Sequence, residues 1–450
     1  MNSVFVDLSK QTGARIKPMH SVNNGPVYKF AKDQRITNID TYRAAGIPFA
    51  RNHDASFCAT YGGEHIVDVN FIFRDFDADP TDPASYDFTL TDEYLRVIEF
   101  AGTKNYYRLG SKIEHWQKKY NTLPPKDFRK WAVVCEHIIR HYTEGWADGF
   151  RMDIEYWEIW NEPDLDPDDS THKRCWGGTK AQFFDLFEIT AKHLKSCFPH
   201  LKIGGPAIAG NMEWGRDFLF EMKRRGTPLD FFSWHIYAAT VEKIRDRIRL
   251  ARSIMDEAGY PDAESILNEW NYVRGWTDDV WIYSLKCEKS LKGAAFISAT
   301  MLMSQNEPLD HLMYYDARPC GMNGLFSTDN VTQCLKGYYP FYFFNKLYRL
   351  RESLAVETEG SELWAQAATD GNGNAAVLLT RYSDDDGAPA EELTLSLAGL
   401  GEGTVRVTYY LLDETHDGSE IWQETVSASD VRVKLPLPSL TTYFVSIERI

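Results

Sequence analysis

Two apolar runs of the sequence end in a glutamate. Tyr156-Trp157-Glu158-Ile159-Trp160 leads into Asn161-Glu162-Pro163, and Ser265-Ile266-Leu267-Asn268 leads into Glu269-Trp270-Asn271. Short runs this rich in aromatic and aliphatic residues read as buried strands. If both belong to one parallel sheet, their carboxyl groups leave it at the same end, although 269 − 162 = 107 residues separate them along the chain. Two carboxyl groups facing one cleft suit the cleavage of a glycosidic bond. One, protonated, gives its proton to the leaving oxygen, while the other stabilises or attacks the carbon that becomes oxocarbenium-like. A gap of about 5–5.5 Å between them leaves no room for water and dictates a covalent intermediate.

The tripeptide alone does not carry this reading. Asn306-Glu307-Pro308 repeats Asn-Glu-Pro, yet it follows the helix-like run Ala294 to Gln305 and precedes a strand. That order puts it in a turn at the opposite end of the sheet, so the strand context does the discriminating.

The elements that must position the pair can be counted. Strand-like runs end at Val22, Arg51, Leu109, Trp160, Gly205, Tyr237, Trp270 and Tyr315, with amphipathic segments between them. In Asp127 to Tyr142, Trp131, Val134, Cys135, Ile138, Ile139 and Tyr142 form one apolar stripe. Glu242 to Ala258 repeats the pattern and stops at Gly259, before Pro261. Eight such units predict an α/β fold, a (β/α)₈ TIM barrel over residues 12–349, whose site lies at the C-terminal ends of the strands. After about residue 350 the rhythm changes. Gly371-Asn372-Gly373-Asn374 and Asp384-Asp385-Asp386-Gly387 punctuate short runs at 375–381, 393–397, 404–411, 431–435 and 442–447. These predict a C-terminal antiparallel β-sandwich over 350–450, with room for an extra strand from 1–11.

Charge and motifs exclude other classes. Among 450 residues, 49 Lys and Arg against 65 Asp and Glu give a net charge of −16, which repels nucleic acid and anionic membranes. The seven cysteines, Cys58, Cys135, Cys175, Cys197, Cys287, Cys320 and Cys334, are scattered and form no CxxC, so neither a disulfide framework nor a zinc site is signalled. The first strand lacks an HxH metal motif, and neither a Walker loop nor a GxGxxG fingerprint is present. No metal and no cofactor are expected. The opening MNSVFVDLSKQTG lacks the basic and apolar regions of a secretion signal, and the run Gly293 to Gln305 falls well short of the ~20 residues that span a bilayer. A cytoplasmic protein is the expectation, with oligomeric state, a homo-oligomer included, left open.

Arg51-Asn52-His53, Trp160-Asn161-Glu162-Pro163, His235-Ile236-Tyr237 and Glu269-Trp270-Asn271, each after a strand-like run, resemble the retaining glycosidases of clan A. The pattern is most similar to glycoside hydrolase family 39, that of β-xylosidases and α-L-iduronidase. The resemblance implies Glu162 as general acid/base and Glu269 as nucleophile, in agreement with the pairing above. It further implies that Asn161 bonds the sugar 2-hydroxyl, His235 and Tyr237 orient the glutamates, Arg51 keeps the nucleophile ionised, and His53 binds sugar. Trp157, Trp160, Trp270 and Trp276 are candidates for stacking on sugar faces, with one of Trp157 and Trp160 assigned to the core by strand alternation. The eighth strand offers Tyr315 where the clan commonly places a tryptophan platform. Arg108, Lys112 and Arg318 either read an acidic sugar or pair with surface carboxylates, and pairing is favoured. The expected function is exo-acting, β-xylosidase-like cleavage of terminal sugars from oligosaccharides. The alternatives are an α-L-arabinofuranosidase, a uronidase, or a non-catalytic carbohydrate-binding relative.

Overall fold

Eight short strands close into a parallel barrel, and the reason lies in their two apolar faces. The computed structural model describes residues 2–31, 34–55, 65–427 and 430–450. After a long first strand β1 (Asn2–Arg15) comes β2 (Ser21–Asn23), then a hairpin of β3 (Tyr28–Ala31) and β4 (Gln34–Thr37) inserted in the first crossover. The other barrel strands are β5 (Phe49–Arg51), β6 (Lys104–Leu109), β7 (Tyr156–Ile159), β8 (Lys202–Ile208), β9 (Phe231–Ala238), β10 (Glu264–Tyr272) and β11 (His311–Tyr314). Their order follows the chain, and β11 returns to pair with β2. Each expected strand end falls within three residues of an observed one.

Side chains alternate across each strand. Inward residues Tyr106, Tyr156, Phe231, Ile266 and Met313 fill the lower barrel as a separate apolar cluster. Outward ones such as Tyr107, Trp157, Ile159 and Leu267 join the larger core beneath the helices. Helix Phe128–Thr143 presents its predicted stripe to that core, and Asp127 caps it by accepting from the N–H groups of Arg129 and Lys130. Helix Lys180–Cys197 starts on a reciprocal Thr179/Gln182 capping box. Helix Leu291–Ser304 is buried along its whole length because it is sandwiched between the barrel and the second sheet.

That second sheet has nine strands. Helix Tyr338–Leu350 leads into β12 (Glu352–Glu359), followed by β13 (Leu363–Thr369), β14 (Ala375–Arg381), β15 (Glu391–Ala398), β16 (Thr404–Leu412), β17 (Asp417–Ser427), β18 (Val431–Leu437) and β19 (Thr441–Arg449). The printed pairings among the strands of 350–450 are antiparallel, as expected, and the N-terminal run joins them as an extra strand. The N-terminal strand lies inside the sheet, antiparallel to β12 but parallel to β15, and it runs on to Arg15 rather than stopping at residue 11. Alternate residues Val4, Val6, Leu393, Leu395, Leu397, Val405 and Val407 form a single apolar cluster with their neighbours.

The acidic loop at 384–387 fastens this sheet to the barrel. Asp384 accepts from the Tyr272 hydroxyl at 2.7 Å and pairs with Arg274 at 2.9 Å, and Asp386 pairs with Lys292 at 2.5 Å. The sequence marks this segment only as a turn.

Candidate active site

Strand alternation would send Glu269 outward, the same way as Leu267. A β-bulge prevents it: β10 pairs Leu267 with Trp234 but Glu269 with His235, which leaves Asn268 as an extra residue. Bulges re-aim side chains in this way. Asn268 therefore donates inward to Glu158, Glu269 also reaches the barrel mouth, and Trp270 turns out toward Phe296 and Tyr314. On β7 the chain leaves the strand through left-handed backbone at Trp160 (φ 76°) and Glu162 (φ 49°), held by the Trp160 N–H on Leu109 and the Glu162 N–H on Ala207. Such strain persists only where the surroundings over-determine it.

One oxygen of Glu162, one of Glu269 and a nitrogen of His235 lie within 4.8 Å of one another. Both carboxyl groups therefore open on the same small space at the barrel mouth. His235 Nδ1 sits 2.9 Å from Glu162 Oε1 and 3.6 Å from Glu269 Oε2. Burial pushes the His235 imidazole down to about 4, so near neutral pH it is uncharged, and one proton is shared across its Nδ1 contact with Glu162.

The two carboxyl groups have different neighbours. Glu269 accepts from the Tyr237 hydroxyl at 2.6 Å and from Arg51 Nη1 at 3.4 Å, with His53 Nε2 at 3.7 Å. Among the described residues, the Glu162 carboxyl group is hydrogen-bonded only to His235 and, at 3.7 Å, the Cys175 thiol. Burial raises its pKa above the ordinary glutamate value, against the pull of the more distant His53 and Arg51 charges. Asp164, two residues on, is pushed up to about 7, first by burial and further by Glu162, against the Ala209 and Asn211 N–H groups that it accepts.

Arg51 is the hub beneath them. Its Nε bonds Glu158 at 2.7 Å, Nη1 bonds Asn23 at 3.0 Å, and Nη2 holds the Asn161 carbonyl oxygen at 2.6 Å. Asp54 takes His53 Nδ1 at 2.9 Å, which turns Nε2 toward Glu269, and it accepts from the Tyr315 hydroxyl at 3.0 Å. Lys112 at 2.9 Å and Arg318 at 3.4 Å complete its shell. Although burial opposes ionisation, His53, Arg318 and Lys112 hold Asp54 well below the usual carboxylate range.

The structure thus joins Glu162, Glu269, Arg51, Asn161, His53, His235, Tyr237 and Tyr315 in one network. It does not bring Trp270 there, because that ring is fully buried on the helix side of β10. Trp157 and Trp160 are buried too, against Tyr107 and against Trp131 and Trp176 respectively, whereas Trp276 stands exposed. Arg108, Lys112 and Arg318 are paired, but with the buried Asp68, Asp54 and Asp316 rather than with surface carboxylates. Sequence reasoning missed Glu158, Asp54, Asn268 and Cys175. A lone charged residue at an inward position of an otherwise apolar strand was the available signal for Glu158. Cys58 lies outside the described residues, and the other six cysteines are free. Two groups of described residues have the atoms to hold an ion: Glu162, His235 and Glu269, and Glu136, His193 and Cys197 between neighbouring helices.

Comparison with known proteins adds an independent line. Residues 53–262 match the model of glycosyl hydrolases family 39. A beta-xylosidase of Geobacillus stearothermophilus is 29% identical over 232 residues, 44% of this chain and 44% of that protein. A beta-xylosidase of Caldicellulosiruptor saccharolyticus is 31% identical over 121 residues, 26% of this chain and 23% of that one. The chain therefore spans less than half the length of these curated relatives in alignment. Among solved structures, a glucosidase from Croceicoccus marinus superposes with a TM-score of 0.81 at 23% identity, covering 100% of this chain and 99% of that one. A monomeric beta-xylosidase from Caulobacter crescentus superposes with a TM-score of 0.74 at 15% identity, covering 100% of both chains. At these identities the superpositions speak for the fold. No helix among the described residues is long and apolar enough to cross a membrane.

Proposed function

We propose that the chain, whose residues 53–262 match the model of glycosyl hydrolases family 39, is a retaining, exo-acting glycosidase of that family with β-xylosidase-like specificity. The single observation that carries the mechanism is the approach of Glu162 and Glu269 to within 4.8 Å. In the first step a Glu269 oxygen attacks the anomeric carbon, the bond to the leaving oxygen breaks, and the Glu162 proton passes to that oxygen. In the second, Glu162 takes a proton from water, the water oxygen attacks the same carbon, and Glu269 leaves. Burial keeps Glu162 protonated to higher pH than an ordinary glutamate, as the first step needs. Conversion of Glu269 into a neutral ester removes a nearby negative charge, which lowers the affinity of Glu162 for its proton just when it must act as a base.

Arg51 serves both halves. It sets positive charge beside Glu269 and fixes Asn161, whose amide is left to bond the sugar 2-hydroxyl. No cofactor enters these steps. Glu269 is only 6% exposed, which favours a narrow pocket for one terminal sugar over an open cleft. We assign the chemistry to the barrel, residues 12–349, and a bracing role to 350–450 with β1. Free thiols suit a reducing cytoplasm, where imported short oligosaccharides are the substrate class.

The test is release of nitrophenol from a panel of aryl glycosides: β-xyloside, β-glucoside, β-galactoside, α-L-arabinofuranoside and a uronide, with Glu269→Ala as the blank. The expected result is fastest turnover of the β-xyloside, absent in the variant. Preference for the β-glucoside would shift the specificity toward that named for the Croceicoccus marinus protein. Silence across the panel would refute exo-action on these five aryl glycosides.

A further inference from the structure

Beside the carboxylate network stands a tryptophan that the mechanism does not use. Trp276 lies between β10 and helix Asp278–Glu288 and is 57% exposed. Its ring is nevertheless held from two sides. Trp281 stacks on it with centroids 5.1 Å apart and planes 24° apart, and Tyr237 meets it edge to face at 5.0 Å and 79°. The same Tyr237 donates to Glu269 at 2.6 Å. An indole backed by one aromatic ring, braced by another and open to water on its remaining surface offers a rigid flat platform at low entropic cost.

Distance decides which sugar it meets. The carbon attacked by Glu269 must come within about 3–3.5 Å of the carboxylate oxygen. Trp276 meets the ring of Tyr237, whose hydroxyl holds that oxygen, and so borders the site one side chain removed from the carboxylate. We infer that Trp276, backed by Trp281, is the stacking platform for a second sugar ring of the substrate, beyond the ring whose bond is cleaved. The C–H-rich face of a pyranose lies on the solvent-exposed part of the indole, and its hydroxyl groups stay in water. The platform rests on the glycosidase reading and adds to it a preference for disaccharides and longer chains over leaving groups without a ring.

The experiment compares xylobiose with β-D-xylopyranosyl fluoride, whose leaving group is one atom and reaches no platform. Wild type, Trp276→Ala and Trp276→Phe are assayed on both. The platform predicts that Trp276→Ala loses roughly fivefold to tenfold more kcat/KM on xylobiose than on the fluoride, mostly in KM, and that phenylalanine restores most of the difference. Equal losses on the two substrates would overturn it, since they would mean that Trp276 acts through Tyr237 and Glu269. An unchanged ratio with a shift of molecular mass in light scattering would also overturn it, and would make exposed Trp276, Val280 and Ile282 a contact between copies. A wild type active on neither substrate would refute the β-xylosidase reading and the platform for xylo-oligosaccharides with it, an outcome distinct from an active wild type whose variants leave the ratio unmoved.

Discussion

The chain carries Asn-Glu-Pro twice, and the two copies differ in almost everything but burial. The side chain of Glu162 is 12% exposed and that of Glu307 is 10% exposed. Glu307, in the turn before β11, has both oxygens gripped by the Arg249 fork at 2.7 Å each. Glu162, past the end of β7 on left-handed backbone, has no guanidinium partner among the described residues; a neutral histidine and a thiol contact its oxygens instead. The same three residues thus yield an ion pair in one place and a carboxyl group able to keep its proton in the other. What differs is the end of the barrel at which the strand delivers them, and which charges wait there.

Removal of the reacting groups should separate the copies most sharply. Glu269→Ala should lose at least ~10⁴-fold in kcat, as nucleophile removal does elsewhere, measured on the best aryl glycoside. Glu162→Ala should lose about 10²–10⁴-fold in kcat/KM on substrates with poor leaving groups and less on activated ones, with azide restoring turnover as a glycosyl azide. If Glu307→Ala lost as much, the contrast between the copies would collapse. Arg51→Lys keeps the charge but cannot bond Glu158, Asn23, Asn161 and Glu269 together, so a fall of roughly 10–100-fold in kcat is expected, with a smaller change in KM.

A third buried carboxyl group sharpens the point about partners. Neither oxygen of Glu288 finds a hydrogen-bond partner among the described residues, and burial pushes it up to about 9. Its unfolded counterpart ionises near its ordinary value of 4.5, so the folded chain binds the extra proton between pH 4.5 and about 9. Stability is therefore intact below that window and falls as pH rises through it, by at most ~1.4 kcal/mol per pH unit from this one group. Glu288→Gln removes the dependence. Its gain in Tm over wild type should grow from pH 5 to pH 8, read by differential scanning fluorimetry. The smallest effect is expected at Glu307→Ala, within twofold in kcat/KM and about 1 kcal/mol or less in stability, because its partner Arg249 is well exposed.

How much of this was legible follows the same line. Barrel strands announce themselves because both faces are apolar, so β7 and β10 and their terminal glutamates stood out from surrounding helices. Trp270, a stacking candidate from the sequence, turns to the helix side instead. The bulge at Asn268 sets Asn268 and Glu269 on the same side, and no local residue pattern declares a bulge in advance. Glu158, Asp54 and Cys175 were missed since their roles come from partners more than 100 residues away or on another loop. Asp54, for example, serves a tyrosine 261 residues later. In the second sheet, β14 was read to the residue, whereas β17, with its mostly exposed side chains, gave no alternation to find. The parallel pairing of β1 with β15 is a tertiary choice that no local signal specifies.

The central claim is that Glu269 becomes covalently attached to the sugar. A 2-deoxy-2-fluoro-β-xyloside with an activated leaving group slows both steps and lets that ester accumulate, so peptide mass spectrometry of the denatured, proteolysed protein reads it directly. The account predicts one fluoroxylosyl adduct per chain, on the peptide that carries Glu269 and on that residue. An adduct on Glu162, or rapid turnover of unmodified reagent to a product of inverted configuration with no adduct, would contradict it.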